Sequence, residues 1–385
     1  MRPPRAWNGH PLWLVGFRPF FLLAWVSAVV LPLTWALLYA GMLSPPPGLS
    51  PLQWHAHEMF FGFGFAVLGG FLLTASKNWV QVRGHYGPTL QFLVGAWLFE
   101  RVGMWFGGTW PEPLRMLSAH LFTVALVGLV SWTLIRHRKT DSYRDNLLFL
   151  IALPVFGLGK ALMLDFTHFV EGRDLTLALF RLAFIVMLER TLPPFMKAGT
   201  QRVLPRVVVV DTAIKGLALV LLTAPWLPDS VRSALDLALA ALLVGRFLSW
   251  SPHLALRRIE LAVMFAGGFA IAAQLVLDAV RGSWVGAMAT HVFTFGAMGL
   301  IIPAMLIRIA NGHTGRPIHF GRVEHAALGS MVLAFLARTM GPQLLPARYP
   351  AWVWLSALLW SLGFALVGAR ITPLLLAERV DGKEH

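Results

Sequence analysis

Apolar runs of about twenty residues recur from one end of this chain to the other, and that recurrence constrains the fold more than any other feature. Twelve runs are bounded approximately by Arg18–Gly41, Trp54–Ala75, Thr89–Gly108, Leu114–Ile135, Leu147–Val170, Leu175–Met196, Val207–Leu227, Val231–Trp250, Arg258–Asp278, Trp284–Ala310, Val323–Leu345 and Ala351–Ile371. As helices they are each long enough to cross a hydrocarbon core about 30 Å thick. Short breaker segments such as Ser44-Pro45-Pro46-Pro47-Gly48 and Lys139-Thr140-Asp141-Ser142 separate them, so no soluble domain fits anywhere. The expectation is therefore an all-α fold, a polytopic membrane protein of twelve transmembrane helices forming one integral-membrane domain over 1–385. The first run is long and lacks a small-residue cleavage site, so it reads as a retained helix rather than a signal peptide. Composition agrees: with 57% hydrophobic and 13% charged residues and a mean hydropathy of +0.66, there is too little polar sequence for a soluble shell.

The net charge of +14 first suggests nucleic acid. Position removes that reading. With loops assigned alternately to two sides, one side collects 22 of the 32 basic residues, beginning with Arg2, Arg5 and Arg18 and ending with Arg370, Arg379 and Lys383. The other side holds only Arg115, Arg173, Arg232, Arg281 and Arg348, and the remaining five lie within helices. Such a split is the signature of cytoplasmic loops, and a wrong helix count would scramble it. Both termini are expected in the cytoplasm, with the lipid bilayer as partner and no nucleic acid.

The chain has no cysteine, which excludes disulfides, thiolate metal sites, iron–sulfur clusters and cysteine nucleophiles. Any metal must use His, Met, carboxylate or backbone oxygen, so the thirteen histidines carry weight. The topology places His55 and His57 at the start of the second helix, His120 and His291 one to two turns into the fourth and tenth, and His168 near the outer end of the fifth. Ionisable groups are rare inside membranes and face a bundle interior, water or a ligand. The stretch His120-Leu121-Phe122-Thr123, with Gly128 eight residues after the His, repeats as His291-Val292-Phe293-Thr294 with Gly299. A weaker version has Phe61-Gly62 after His57, matching Phe295-Gly296 after His291. Imidazoles at one depth on parallel helices suit a metal or haem site, whereas a lone membrane histidine is ordinarily a packing residue bonded to a neighbouring helix.

His55 and His57 are two apart, so on a regular helix they point about 200° apart and do not ligate one metal together. Glu58 is placed either as an acceptor for an imidazole N–H or as an acid favoured by the helix N-terminus. Arg308 through Pro317, containing Asn311-Gly312-His313-Thr314-Gly315-Arg316, reads as a tight loop or helix end able to take a propionate or phosphate, or simply as topology charge. Arg101 beside Glu100, Arg181, Glu189 and Arg338 are intramembrane charges expected to neutralise one another across helices, and Asp211 and Lys215, four apart, can pair on one face. No hydrolase elbow, H-E-x-x-H pair, Walker loop or dinucleotide fingerprint appears, so soluble-type catalysis is unsupported.

Gly16-Phe17-Arg18-Pro19-Phe20-Phe21-Leu22-Leu23-Ala24, Trp54-His55-Ala56-His57-Glu58-Met59-Phe60-Phe61-Gly62-Phe63, Gly70 to Ala75 with Asn78-Trp79, and Gly312-His313-Thr314-Gly315-Arg316-Pro317 together resemble the NnrS family. Members are polytopic proteins of the bacterial inner membrane, associated with the nitric oxide response and described as containing haem and copper. The resemblance implies His55, His57, His291 and His313 as motif histidines and Arg18 and Arg101 as motif arginines. Two departures stand out: Leu261 to Phe269 lacks a histidine that many members carry in the ninth helix, and His120 falls where the family pattern has none.

The resemblance and the histidine cluster together imply a haem b protein, with copper as a second metal, that takes nitric oxide or another small diatomic ligand and protects against nitrosative stress. His57 and His291 are the first choices for haem iron, and His55 and His120 for copper or a second site. His313 is carried as a cofactor residue, and Arg18, Arg101 and Arg316 as propionate partners. A twelve-helix secondary transporter and a membrane nitric oxide reductase are the competing functions. Weak symmetry between halves argues against the first, and the absence of a traceable carboxylate relay or c-type haem motif against the second.

Overall fold

The structure is a computed structural model and describes residues 7–383; Arg2 and Arg5, counted above, lie outside the described residues. Twelve long helices account for the twelve apolar runs: α1 (Phe17–Tyr39), α2 (Pro51–Trp79), α3 (Pro88–Phe106), α4 (Glu112–Arg136), α5 (Leu147–Leu164), α6 (Phe169–Thr200), α7 (Val208–Trp226), α8 (Asp229–Ser249), α9 (Ile259–Val280), α10 (Met288–His313), α11 (Arg322–Thr339) and α12 (Tyr349–Leu376). No strand occurs among the described residues. Eight of the twelve are long and apolar enough to cross a membrane: α1, α2, α4, α5, α7, α9, α10 and α12. The other four each carry two or more charged residues, among them the buried Glu100 on α3, Arg181 and Glu189 on α6, Asp236 and Arg246 on α8, and Glu324 and Arg338 on α11, and several of the eight bury charge too, as Arg18, Glu58 and Lys160 do. Charge inside a membrane protein faces other helices, so low hydropathy here marks interior-facing function or pairing.

The chain divides into two compact units. One comprises Met1–Arg173, Leu306–His319 and Val367–His385; the other comprises Asp174–Met305 and Phe320–Leu366.

In the first unit α2 packs against α1 through glycine. A methyl group at Gly70 would press on the Phe20 and Phe21 side chains of α1, and one at Gly69 on Leu126 of α4. Small residues let helix backbones approach where lipid supplies no hydrophobic drive, and close packing becomes the source of stability. The start of α2 is fixed by a capping box: Ser50 Oγ accepts from the Gln53 amide at 3.2 Å, Gln53 Oε1 accepts from the Ser50 amide at 3.1 Å, and Pro51 occupies the first turn. This cap sets the phase of the turn that carries His55 and His57. Ser50→Ala is expected to cost about 1 kcal/mol, read as a lower midpoint in a denaturing-detergent titration.

Regular α-geometry then yields to seven residues of π-helix, Glu58–Gly64, before α2 resumes. In the second unit α10 does the same over Val292–Met298, immediately after His291. Each π segment begins one residue after a histidine and holds its Phe-Gly pair, Phe61-Gly62 or Phe295-Gly296, at the same phase. Each glycine meets a neighbouring helix, Gly62 against Arg101 of α3 and Gly296 against Ala270 of α9. The repeat that reads as the weaker one in sequence is thus the structural one. His120, the stronger match by letters, sits in α4, which is α-helical throughout.

One helix end differs from expectation. The fifth run was expected to continue to Val170, yet α5 stops at Leu164 because the Asp165 side chain captures the chain beyond it. Asp165 Oδ1 accepts from the amides of Thr167 at 2.7 Å and His168 at 3.1 Å, and lies 3.2 Å from His168 Nδ1. Those hydrogen bonds, Thr167 first, hold the Asp165 carboxyl below its usual range. His168 therefore stands in an exposed turn, its side chain 53% exposed, and does not join the other histidines.

Candidate functional site

Three helices of the first unit, α2, α3 and α5, place charged side chains around His57, which is completely buried, and α4 adds Thr123. Its Nδ1 lies 3.1 Å from Oε1 of Glu58, an acceptor for a ring N–H. Its Nε2 faces Oε1 of Glu100 on α3 at 3.3 Å without the alignment of a hydrogen bond, and is left without a hydrogen-bond partner. The same Glu100 oxygen takes Arg101 Nη2 at 2.6 Å and the Lys160 ammonium of α5. Arg101 Nη1 also bonds Glu58 Oε2 at 3.1 Å, and Lys160 donates to Thr123 Oγ1 of α4 at 3.0 Å. Two carboxylates thus meet two cations around one imidazole.

The π-helical turn makes room for this arrangement. A methyl at Gly62 would collide with Nη1 of Arg101, so only glycine lets the guanidinium lie across α2 to reach Glu58. The Trp97 indole donates to the Gly62 carbonyl at 3.1 Å and lies under Arg101 at 5.2 Å. Phe61 stacks on His57, centroids 5.4 Å apart, and underlies Lys160 at 5.2 Å. Each buried cation therefore rests on an aromatic face as well as on a carboxylate, which offsets part of its desolvation.

The other sequence-selected residues fall as follows. His55 points away from His57, as helical phase requires, and stacks on Trp35 of α1 with centroids 4.2 Å apart. His120, half-buried and one turn before Thr123, lies near enough to Lys160, Glu100 and His57 to interact with them electrostatically. His313 packs on Phe17 at 5.4 Å, and its carbonyl accepts from Arg379 at 2.8 Å. Arg18 is fully buried, with Nη1 donating to the carbonyls of Leu375 at 2.8 Å and Ala377 at 2.6 Å. Arg316 turns at the end of the α10 loop, its amide donating to the Asn311 carbonyl at 3.0 Å.

In the second unit His291 donates Nδ1–H to the Ala287 carbonyl at 2.7 Å, while Arg338 Nη2 reaches its Nε2 at 3.3 Å. Two parts of the first unit's pattern recur, a histidine before a π segment and its Nδ1 held by an acceptor, but here the arginine meets the ring itself, whereas Arg101 meets the carboxylates beside His57. The expected Asp211–Lys215 partnership gives way to tertiary contacts. Lys215 pairs with Glu189 at 3.0 Å, and Asp211 faces Arg246 at 3.6 Å.

Among the described residues no three His, Asp or Glu side chains converge as a metal centre. Single imidazoles do have the chemistry of a ligand. A metal-bound histidine presents one nitrogen lone pair while its other N–H is fixed by a carboxylate or carbonyl. His57, with Glu58 against Nδ1 and a buried Nε2 that makes no hydrogen bond, meets that description, and His291 is likewise held at Nδ1.

Glu100 is legible in sequence only as one of the intramembrane charges expected to neutralise one another, and Lys160 only as a basic residue within a helix; neither is marked there as a member of the site. Sixty residues separate them, and their only signal was that each is an ionisable group inside an apolar run.

The architecture and site define a polytopic α-helical membrane protein with a buried histidine–carboxylate–cation cluster. The family described as NnrS protein matches residues 11–379, and the chain belongs to that family. Membership supports a membrane protein of the nitric oxide response. None of the curated proteins matches the chain.

Proposed function

We propose that this protein is a haem-binding protein of the bacterial inner membrane, with copper as a second metal, that takes nitric oxide and protects against nitrosative stress. The reading also keeps twelve crossings with both termini cytoplasmic. It is supported by family membership and, within the molecule, by one observation above the others: the buried Nε2 of His57 has no hydrogen-bond partner while Glu58 holds the opposite nitrogen. His57 and, in the other unit, His291 are the residues to hold haem iron, and His55 and His120 the candidates for copper. Haem iron supplies a coordination position for a diatomic ligand.

The protein's own residues do the rest. Glu58 fixes the His57 tautomer and orientation. Glu100 keeps Arg101 and Lys160 neutralised beside the ring, and Phe61 and Trp97 exclude water from the cluster. Arg101, carried forward as a propionate partner, is already committed to two carboxylates, so a third would have to compete with Glu58 and Glu100.

Protein purified from cells supplied with haem and copper is expected to show a Soret band that shifts on addition of nitric oxide, together with iron and copper by elemental analysis. Protein with neither band nor metal would exclude the proposal.

A further inference from the structure

Arg18 is completely buried, yet only part of its hydrogen-bonding capacity is used. Nη1 serves the carbonyls of Leu375 and Ala377, capping the C-terminal end of α12. Nε and Nη2 are buried and make no hydrogen bond. Those two groups share one edge of the guanidinium plane, the edge that grips two oxygens of a carboxylate or phosphate side by side. Leaving such donors dry is unfavourable, and arginine cannot escape by losing its proton.

The surroundings have the sign that an anion would correct. Arg316 and Arg379 lie close enough to act on Arg18 electrostatically, and Lys77 and Arg379 act in the same way on His313. Arg316 also has a buried nitrogen, Nη1, without a hydrogen bond. Two carboxylates oppose these cations. Asp381 is taken up by Arg379, at 2.9 Å from its Nε and 2.5 Å from its Nη2, and Glu378 acts on Arg18 electrostatically. Four cations thus face two carboxylates, and the buried fork among them is bonded to neither.

We propose that this end of the first unit binds a phosphate group, on the Nε–Nη2 edge of Arg18 with Arg316 as a second donor. Phosphate suits the site better than a carboxylate because it offers more than two acceptor oxygens, enough for two guanidinium groups. Basic pockets between helices at the cytoplasmic face are also where lipid phosphate is recognised. The phosphate comes from an anionic lipid headgroup or from free phosphate, two sources with the same chemistry at the fork.

The test uses the full-length protein, exchanged exhaustively into a phosphorus-free detergent and buffer. Phosphorus is then measured separately in an organic extract and in the acid-released aqueous fraction, beside the haem spectrum. Wild type is expected to retain stoichiometric phosphorus, with the organic fraction marking a lipid headgroup and the aqueous fraction free phosphate. Arg18→Gln also removes the α12 cap, so the informative variants are Arg18→Lys, which keeps charge without the fork, and Arg316→Gln. Both are expected to retain phosphorus about tenfold more weakly than wild type. Wild type that retains none, or variants that retain as much as wild type, would overturn the assignment. So would loss of haem in Arg18→Lys without any bound phosphorus, which would give the fork to a propionate.

Discussion

Exchange of Glu100 for glutamine is expected to destabilise the protein by about 3–5 kcal/mol, the cost of breaking a buried ion pair from one side. Glu100 is completely buried and is the one carboxylate shared by Lys160, Arg101 and the His57 ring edge. Arg101 would retain Glu58, but Lys160, also completely buried, would keep only Thr123 and the face of Phe61. The measurement is the unfolding midpoint in mixed micelles of increasing denaturing detergent. Adding Lys160→Met removes the stranded cation and is expected to recover more than half of the loss. The two substitutions are then strongly non-additive, as contacting charges are. A Glu100→Gln protein within about 0.5 kcal/mol of wild type would mean that the cluster is not held together by this carboxylate.

The same cluster shows where a sequence can be read and where it cannot. Twelve apolar runs correspond to twelve helices, and eight of these are long and apolar enough to cross a membrane, where helix is the available way to satisfy the backbone. The divergence of His55 from His57 was legible for a related reason: 100° per residue fixes relative direction whatever packs outside. Pairing across helices was not legible. Lys215 has an acidic residue four positions before it, as the helix-surface rule asks, yet it bonds Glu189 on another helix, because tertiary packing outweighs a local pair worth a few tenths of a kcal/mol.

The π segments were hidden for a different reason. Over Glu58–Gly64 and Val292–Met298 nearly every residue is apolar or glycine, so a change in helical pitch leaves no mark on hydropathy periodicity. What does mark them is the fixed offset from histidine to Phe-Gly, present in α2 and α10 alike. The closer letter match of His120 to His291 misled because apolar helices share Leu, Phe and Thr by composition. Likewise His168 stands apart from the other histidines because Asp165 ends the helix before it.

His57 is where the functional proposal is most exposed. His57→Ala removes the buried ring, leaves Glu58 with Arg101 alone, and takes away the nitrogen proposed for haem iron. His55→Ala, which removes a ring stacked on Trp35 on the opposite side of α2, is the matched control. Glu58→Gln is intermediate: it leaves the ring in place but weakens its support, with an expected loss of about 10–100-fold in metal affinity. The decisive measurement is the optical and paramagnetic resonance spectrum of haem-replete His57→Ala, taken beside His55→Ala and wild type on protein shown to be folded. Loss of the wild-type haem signal in His57→Ala, with retention in His55→Ala, is the predicted result; an unchanged signal in His57→Ala would contradict it.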